Sequence, residues 1–123
     1  MARTLSTLGV AIEDAVASRF QPHSERVKYM AYFRTPRGSV FAVEQGTSKH
    51  INLWLPEQEA VRHEAERERL HVNRSVPWPD ATKPNRYGRI SSLQSVQELC
   101  DAILLKVQVT TVGKAMRVLE ALS

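Results

Sequence analysis

Residues 26–45 read RVKYMAYFRTPRGSVFAVEQ. Val27, Tyr29, Ala31 and Phe33 alternate with Lys28, Met30 and Tyr32, which is the two-residue period of a β-strand. Thr35-Pro36-Arg37-Gly38 then interrupts the alternation. Proline presets φ for the first turn position and glycine supplies a left-handed one, so the stretch predicts a hairpin turn. Residues 39–45 form the return strand. Gly46-Thr47-Ser48 makes a second turn, and residues 49–55 a third strand, with Ile51, Leu53 and Leu55 opposite His50, Asn52 and Trp54. Three strands joined by short turns predict an antiparallel meander.

Outward from the meander the period changes. Leu5, Leu8, Ile12, Ala15, Val16 and Phe20 recur at helical spacing, so residues 5–20 predict an amphipathic helix that Pro22 ends. Pro56 suits a first helical turn and residues 57–70 are strong helix formers. This second helix has few apolar positions (Ala60, Val61, Ala65 and Leu70) and is expected to be solvated over most of its surface. Residues 71–76 suggest a short strand, 77–85 a loop fixed by three prolines, and 87–92 a further edge strand. Ser95 and Glu98 fit a capping box. Val96, Leu99, Cys100, Ile103, Leu104 and Val107 follow at helical spacing and predict a helix. Thr110 or Thr111 caps a last helix carrying Val112, Ala115, Met116, Leu119 and Leu122. The fold class is α+β: an antiparallel sheet of a three-stranded meander plus one or two short strands, with an N-terminal helix and two C-terminal helices on one face.

The chain has 123 residues and a net charge of +4, which favours one domain, 1–123, with a core of its own. The single cysteine, Cys100, excludes an internal disulfide. Neither a secretory leader nor an apolar run of about 18 residues is visible, so the expected location is cytoplasmic, with no membrane partner. Positive charge is unevenly spread. Residues 56–70 hold Glu57, Glu59, Glu64, Glu66 and Glu68 against Arg62, Arg67 and Arg69, a net of −2, which leaves +6 for the rest of the chain. A positive field of that size favours anionic partners.

Catalytic motifs fail at named positions. His63-Glu64 begins like a zinc protease helix, but the fourth residue after His63 is Arg67, and His71 is eight residues away. Pro79-Asp80 begins like a metal-dependent nuclease, yet Asp80 and Lys83 have the wrong spacing and Glu44 has no lysine partner. Cys100 falls on an apolar helix face, where a thiol is inert. Ser39 and Ser91 lack a glycine-flanked elbow, and Val112-Gly113-Lys114 lacks the rest of a phosphate loop. The sequence therefore assigns no catalytic residue, metal or cofactor, and the expectation is a non-enzymatic protein.

What remains is a basic and aromatic set. Arg34 and Arg37 sit at the first hairpin tip, Lys49 and His50 begin the third strand, and Arg74, Lys83, Arg86 and Arg89 surround the proline-rich loop with Trp78 and Tyr87. Cations that meet phosphates, interleaved with rings that stack on bases, are the chemistry of nucleic-acid contact. The candidate nucleic-acid-binding residues are Arg34, Arg37, Lys49, Arg74, Trp78, Lys83, Arg86, Tyr87 and Arg89. Two other readings stay open. One is a protein-interaction domain (an inhibitor, adaptor or homo-oligomer), suggested by the charge-segregated helix, exposed strand edges and an exposed Trp54. The other is a small-ligand site lined by His50, Trp54 and Tyr87.

The segments Val27-Lys28-Tyr29-Met30-Ala31-Tyr32, Phe41-Ala42-Val43-Glu44 and Ile51-Asn52-Leu53-Trp54-Leu55, with Tyr87-Gly88-Arg89-Ile90 further on, resemble a small domain family of unknown function. That family is labelled "predicted transport protein" and is found near nuclease-type domains. The resemblance covers residues 5–107 and departs at the acidic helix and the 77–84 loop. It implies the α+β fold; a defence, restriction or mobile-element setting belongs to the nucleic-acid-binding expectation. The resemblance implies no activity, because the family has none agreed.

Overall fold

The computed structural model describes residues 7–27, 30–45, 50–75, 96–100 and 102–122. The loop expected at 77–85 and the strand expected at 87–92 lie outside them. The elements run α1 (Thr7–Arg19), β1 (Gln21–Val27), β2 (Met30–Arg34), β3 (Val40–Glu44), β4 (Ile51–Pro56), α2 (Glu59–Arg67), β5 (Val72–Ser75), α3 (Gln97–Cys100), β6 (Leu104–Val109) and α4 (Val112–Glu120). The architecture is α+β. Six strands form one sheet in the order β1-β2-β3-β4-β6-β5, and every neighbouring pair is antiparallel.

The meander forms as its alternation and turn chemistry dictate. Thr35 and Ser39 close the first hairpin: the Thr35 N–H donates to the Ser39 carbonyl, and the Gly38 N–H returns to the Thr35 carbonyl, both at 2.9 Å. Gly38 has φ +94°, and a side chain there would meet no atom within 4 Å. Glycine is therefore needed for the backbone angle and not for space.

Both sheet faces are covered. On one, Ala31, Phe33, Phe41, Val43, Ile51, Leu53, Leu55, Leu105, Val107 and Val109 pack against Ile12 and Val16 of α1, Val61 and Ala65 of α2, and Ala115, Val118 and Leu119 of α4. On the other, Met30, Tyr32, Val40, Ala42, Trp54 and Leu104 pack against Val96 and Leu99. Strands buried on both sides lose the polar alternation of a half-solvated sheet, which accounts for runs such as Met30-Ala31-Tyr32-Phe33.

Two segments differ from the sequence expectation. The first strand does not run unbroken from 26 to 33. Residues 21–27 form an added edge strand, β1, and β2 begins at Met30. Pro22 does not merely end α1; it lies inside β1, paired with Phe33, in a ladder broken by register shifts on either side of Ser24. An edge strand tolerates this, since the missing N–H faces no second neighbour. The larger correction concerns the helix expected from Ser95 to Val107. Only Gln97–Cys100 is helical, and Leu104–Val109 is the strand β6. Leu105, Val107 and Val109 satisfy a two-residue period as well as Leu104 and Val107 satisfy a helical one. Tertiary pairing decides between them. β6 lies between β4 and β5 and is bonded along both edges, so its backbone groups are matched on each side. Shortened to four residues, α3 leaves the face shared by α1, α2 and α4 and covers Trp54 on the other.

The acidic helix α2 begins after Pro56, which closes β4, and is anchored by the buried Val61 and Ala65. Its end carries backbone strain. Arg69 has φ 57°, its N–H reaches the Glu66 carbonyl, and the Leu70 N–H reaches that of Ala65. This is a Schellman ending with arginine at the left-handed position that glycine normally takes. Arg69→Gly is expected to raise unfolding stability by about 1 kcal/mol, measured by urea denaturation, while Arg69→Ala gives no such gain. Equal effects of the two substitutions would show that the angle is unstrained.

Candidate nucleic-acid interface

The register of the ladders sorts the basic residues between the two ends of the sheet. Gln21 pairs with Arg34, and Arg34 with Val40. Pro56 pairs with Leu104, and Leu104 with Ser75. Ala42 faces Trp54, so two residues further along Val40 faces Pro56. The row from Gln21 to Ser75 thus lies at one end of the sheet. Arg34 and the hairpin tip with Arg37 belong to it, and so does Arg74, four strand spacings or roughly 20 Å across. Lys49 lies outside the described residues. Its neighbour His50 immediately precedes β4 at the opposite end, roughly 20 Å from Pro56 along the strand direction, so that part of the expected cluster separates from the hairpin. Trp78, Lys83, Arg86, Tyr87 and Arg89 also lie outside the described residues; the chain leaves β5 towards them at Ser75, on the hairpin's end of the sheet.

Ion pairing divides the cations further. Arg74 donates from Nε to Glu57 Oε2 at 2.7 Å, and Arg62 reaches the same oxygen at 2.8 Å. Arg19 pairs with Glu120, Arg67 with Glu64 and Arg117 with Glu68. Within residues 56–70, Glu57, Glu64 and Glu68 are thus engaged with arginines, so part of the segregated charge read from sequence is locally compensated. Among the described residues Arg34 donates only to the neutral Gln21 side chain, at 3.1 Å. Among the described residues neither Arg34 nor Arg37 has a carboxylate partner, and both are exposed.

Beside this hairpin is a cleft of about 470 Å³, lined by Arg19, Phe20, Gln21, Arg34, Thr35, Pro36 and Gly38. It exists because α1 stops at Arg19 and β1 starts at Gln21 opposite Arg34, which brings the end of the helix against the hairpin. Phe20 is half-buried, and its ring meets Phe41 edge-on with centroids 5.2 Å apart. None of the described lining residues is acidic. Arg19, Phe20 and Gln21 were not among the residues singled out by sequence, since only the added edge strand joins them to the hairpin.

Trp54 takes no part in an open site. It is fully buried. Its indole N–H donates to Glu44 Oε1 at 2.8 Å, and the Lys106 ammonium lies 5.5 Å from its ring centroid. The exposed Trp54 of the interaction reading and the Trp54-lined ligand site are both corrected by this burial, which α3 causes. His63 and Glu64 line a second, shallower groove on α2 with Arg67. Among the described residues no three His, Cys, Asp or Glu side chains converge as metal ligands, and no helix is long and apolar enough to cross a membrane. Cys100 ends α3, but its side chain lies outside the described set. No protein-family model, curated protein or solved structure matches this chain.

The Glu57 carboxyl is held below the ordinary glutamate range, first by the hydrogen bond from Arg74; burial opposes this, and the charge of Arg74 and the hydrogen bond and charge of Arg62 add to the lowering. A carboxyl with a lowered native pKa contributes stability above the ordinary value of about 4.3, and that contribution is lost as pH falls through the lowered one. The stability difference between the wild type and Glu57→Gln is therefore expected to be largest at neutral pH and to shrink on acidification, followed by urea midpoints across pH. A difference that does not vary with pH would show that the carboxylate has no preferential native partner.

Proposed function

We propose that this protein is a non-enzymatic nucleic-acid-binding module whose contact face is the end of the sheet carrying the first hairpin. The observation that carries the reading is the pair Arg34 and Arg37, exposed on a rigid turn without a carboxylate partner among the described residues. A closed hairpin presents its cations with little ordering cost on binding. The sequence beyond Ser75, with Trp78, Lys83, Arg86, Tyr87 and Arg89, supplies further cations and stacking rings, and the chain enters that segment from the same end of the sheet. A net charge of +4 supports the long-range attraction. A defence, restriction or mobile-element setting fits such a module. In the opposing reading, a protein-interaction domain, the sheet edges and α2 would carry the contact, but that reading loses its exposed tryptophan.

Phosphate contacts release counterions, so affinity for a generic single-stranded oligonucleotide is expected to fall steeply with salt, by about 0.7 in log K per log salt for each contact. The double substitution Arg34→Gln/Arg37→Gln is expected to weaken binding and to lower that slope by about 1 to 1.5. Fluorescence anisotropy across a salt series reads both. Absence of binding at low salt removes the nucleic-acid reading, and an unchanged slope in the double variant moves the contact away from the hairpin.

A further inference from the structure

We infer that the cleft between the end of α1 and the first hairpin takes a terminal nucleotide, recognised by its phosphate monoester and its planar ring; the inference rests on the nucleic-acid reading above and names what this part of the face binds. The cleft's volume of about 470 Å³ lies within the range of roughly 300–1,000 Å³ for small-molecule sites. It admits one nucleotide and excludes a double helix.

Its polar lining is rich in donors. Arg34 uses one N–H on Gln21, which leaves four of the five that a guanidinium carries. Arg19 reaches Glu120 through Nη1, and its remaining N–H groups are left for a ligand. Thr35 is only 4% exposed. Its hydroxyl accepts from the Ser39 N–H at 3.1 Å, and among the described residues the hydroxyl's own hydrogen has no acceptor. Two guanidinium groups and a buried hydroxyl with a proton to give suit an oxyanion with several acceptor oxygens. Phe20 and Pro36 supply the apolar wall, and the contact with Phe41 fixes the Phe20 ring for stacking.

Charge selects the chain end over its interior. An internal phosphodiester carries one negative charge, whereas a phosphate monoester carries about −1.5 to −2 near pH 7 and offers three acceptor oxygens. Arg19 is balanced by Glu120 and by its place in the last turn of α1, where a helix's negative end favours a cation. Arg34 has no carboxylate partner among the described residues. A cleft with that uncompensated guanidinium and no acidic lining gains most from the more highly charged group. The same chemistry occurs on a strand end and on a free mononucleotide, and the experiment separates the two.

The test compares a labelled single-stranded oligonucleotide carrying a 5′-phosphate, a 3′-phosphate or neither, with adenosine monophosphate and inorganic phosphate as separate ligands in NMR titrations. At least one phosphorylated end is expected to bind roughly tenfold more tightly than the unphosphorylated strand, the size of one added charge-assisted hydrogen bond. Arg34→Gln is expected to abolish that preference. Arg37→Gln, outside the cleft, is expected to weaken all three strands by the same factor and to keep it. Equal affinity for all three strands overturns the inference and leaves the nucleic-acid reading standing, as does a preference that survives Arg34→Gln. Binding of adenosine monophosphate at Phe20 and Thr35 without binding of any strand supports the cleft and overturns the strand as its source. Inorganic phosphate bound as tightly as the nucleotide removes the ring from the recognition and overturns the inference as stated.

Discussion

The ladder that holds β6 between β4 and β5 decides the rest of the fold. Leu104–Val109 is bonded to Ile51–Pro56 on one side and to Val72–Ser75 on the other. Without that strand the meander would end at an open β4 edge, β5 would have no neighbour, and α4 would have no turn delivering it across the sheet. With it, Leu105, Val107 and Val109 complete the face under α1, α2 and α4, and Leu104 joins Trp54 beneath Val96 and Leu99. One short strand thus contributes core side chains to both faces of the sheet. Lys106 sits opposite Trp54 and over its ring, so one of the two polar positions in β6 is also used for packing.

A sheet covered on both faces leaves its ends and its two edge strands for contact. β1 is a poor edge for pairing with another chain, because Pro22 and two register shifts interrupt it. The cations of the hairpin end differ in their pairing. Among the described residues Arg34 and Arg37 have no carboxylate partner, while Arg74 is tied to Glu57. The proposed function follows from that contrast: cations already paired within the protein gain little from a phosphate, since an intramolecular partner must be displaced first. A basic patch counted from sequence overstates the usable charge for the same reason.

The legible parts of the chain are those whose signals are local. The first hairpin is set by alternation, Pro36 and Gly38, all within a dozen residues, so β2, β3 and the positions of Arg34 and Arg37 could be read directly. The last helix was legible from its apolar spacing and from Thr111, whose hydroxyl accepts from the Lys114 N–H at 3.1 Å. β6 was not, because Val96 to Val107 fits two periods and the choice between them is made by strands about thirty to fifty residues earlier in the sequence. β1 was hidden by Pro22, which reads as a helix stop and gives no sign of the edge position that tolerates it. The cleft depends on that missed strand, so Phe20 and Arg19 could not be joined to Arg34. Nor does sequence reveal that Arg74 is neutralised by a glutamate seventeen residues away.

The central claim is that nucleic acid contacts the hairpin end of the sheet. Backbone amide shift mapping during titration with a single-stranded oligonucleotide at low salt tests it most directly. The account predicts perturbations at Arg19, Phe20, Gln21 and across Arg34 to Ser39, with Ile51 and Val109 at the opposite end unmoved. Perturbations centred on Ile51 and Val109, with the hairpin silent, would contradict it.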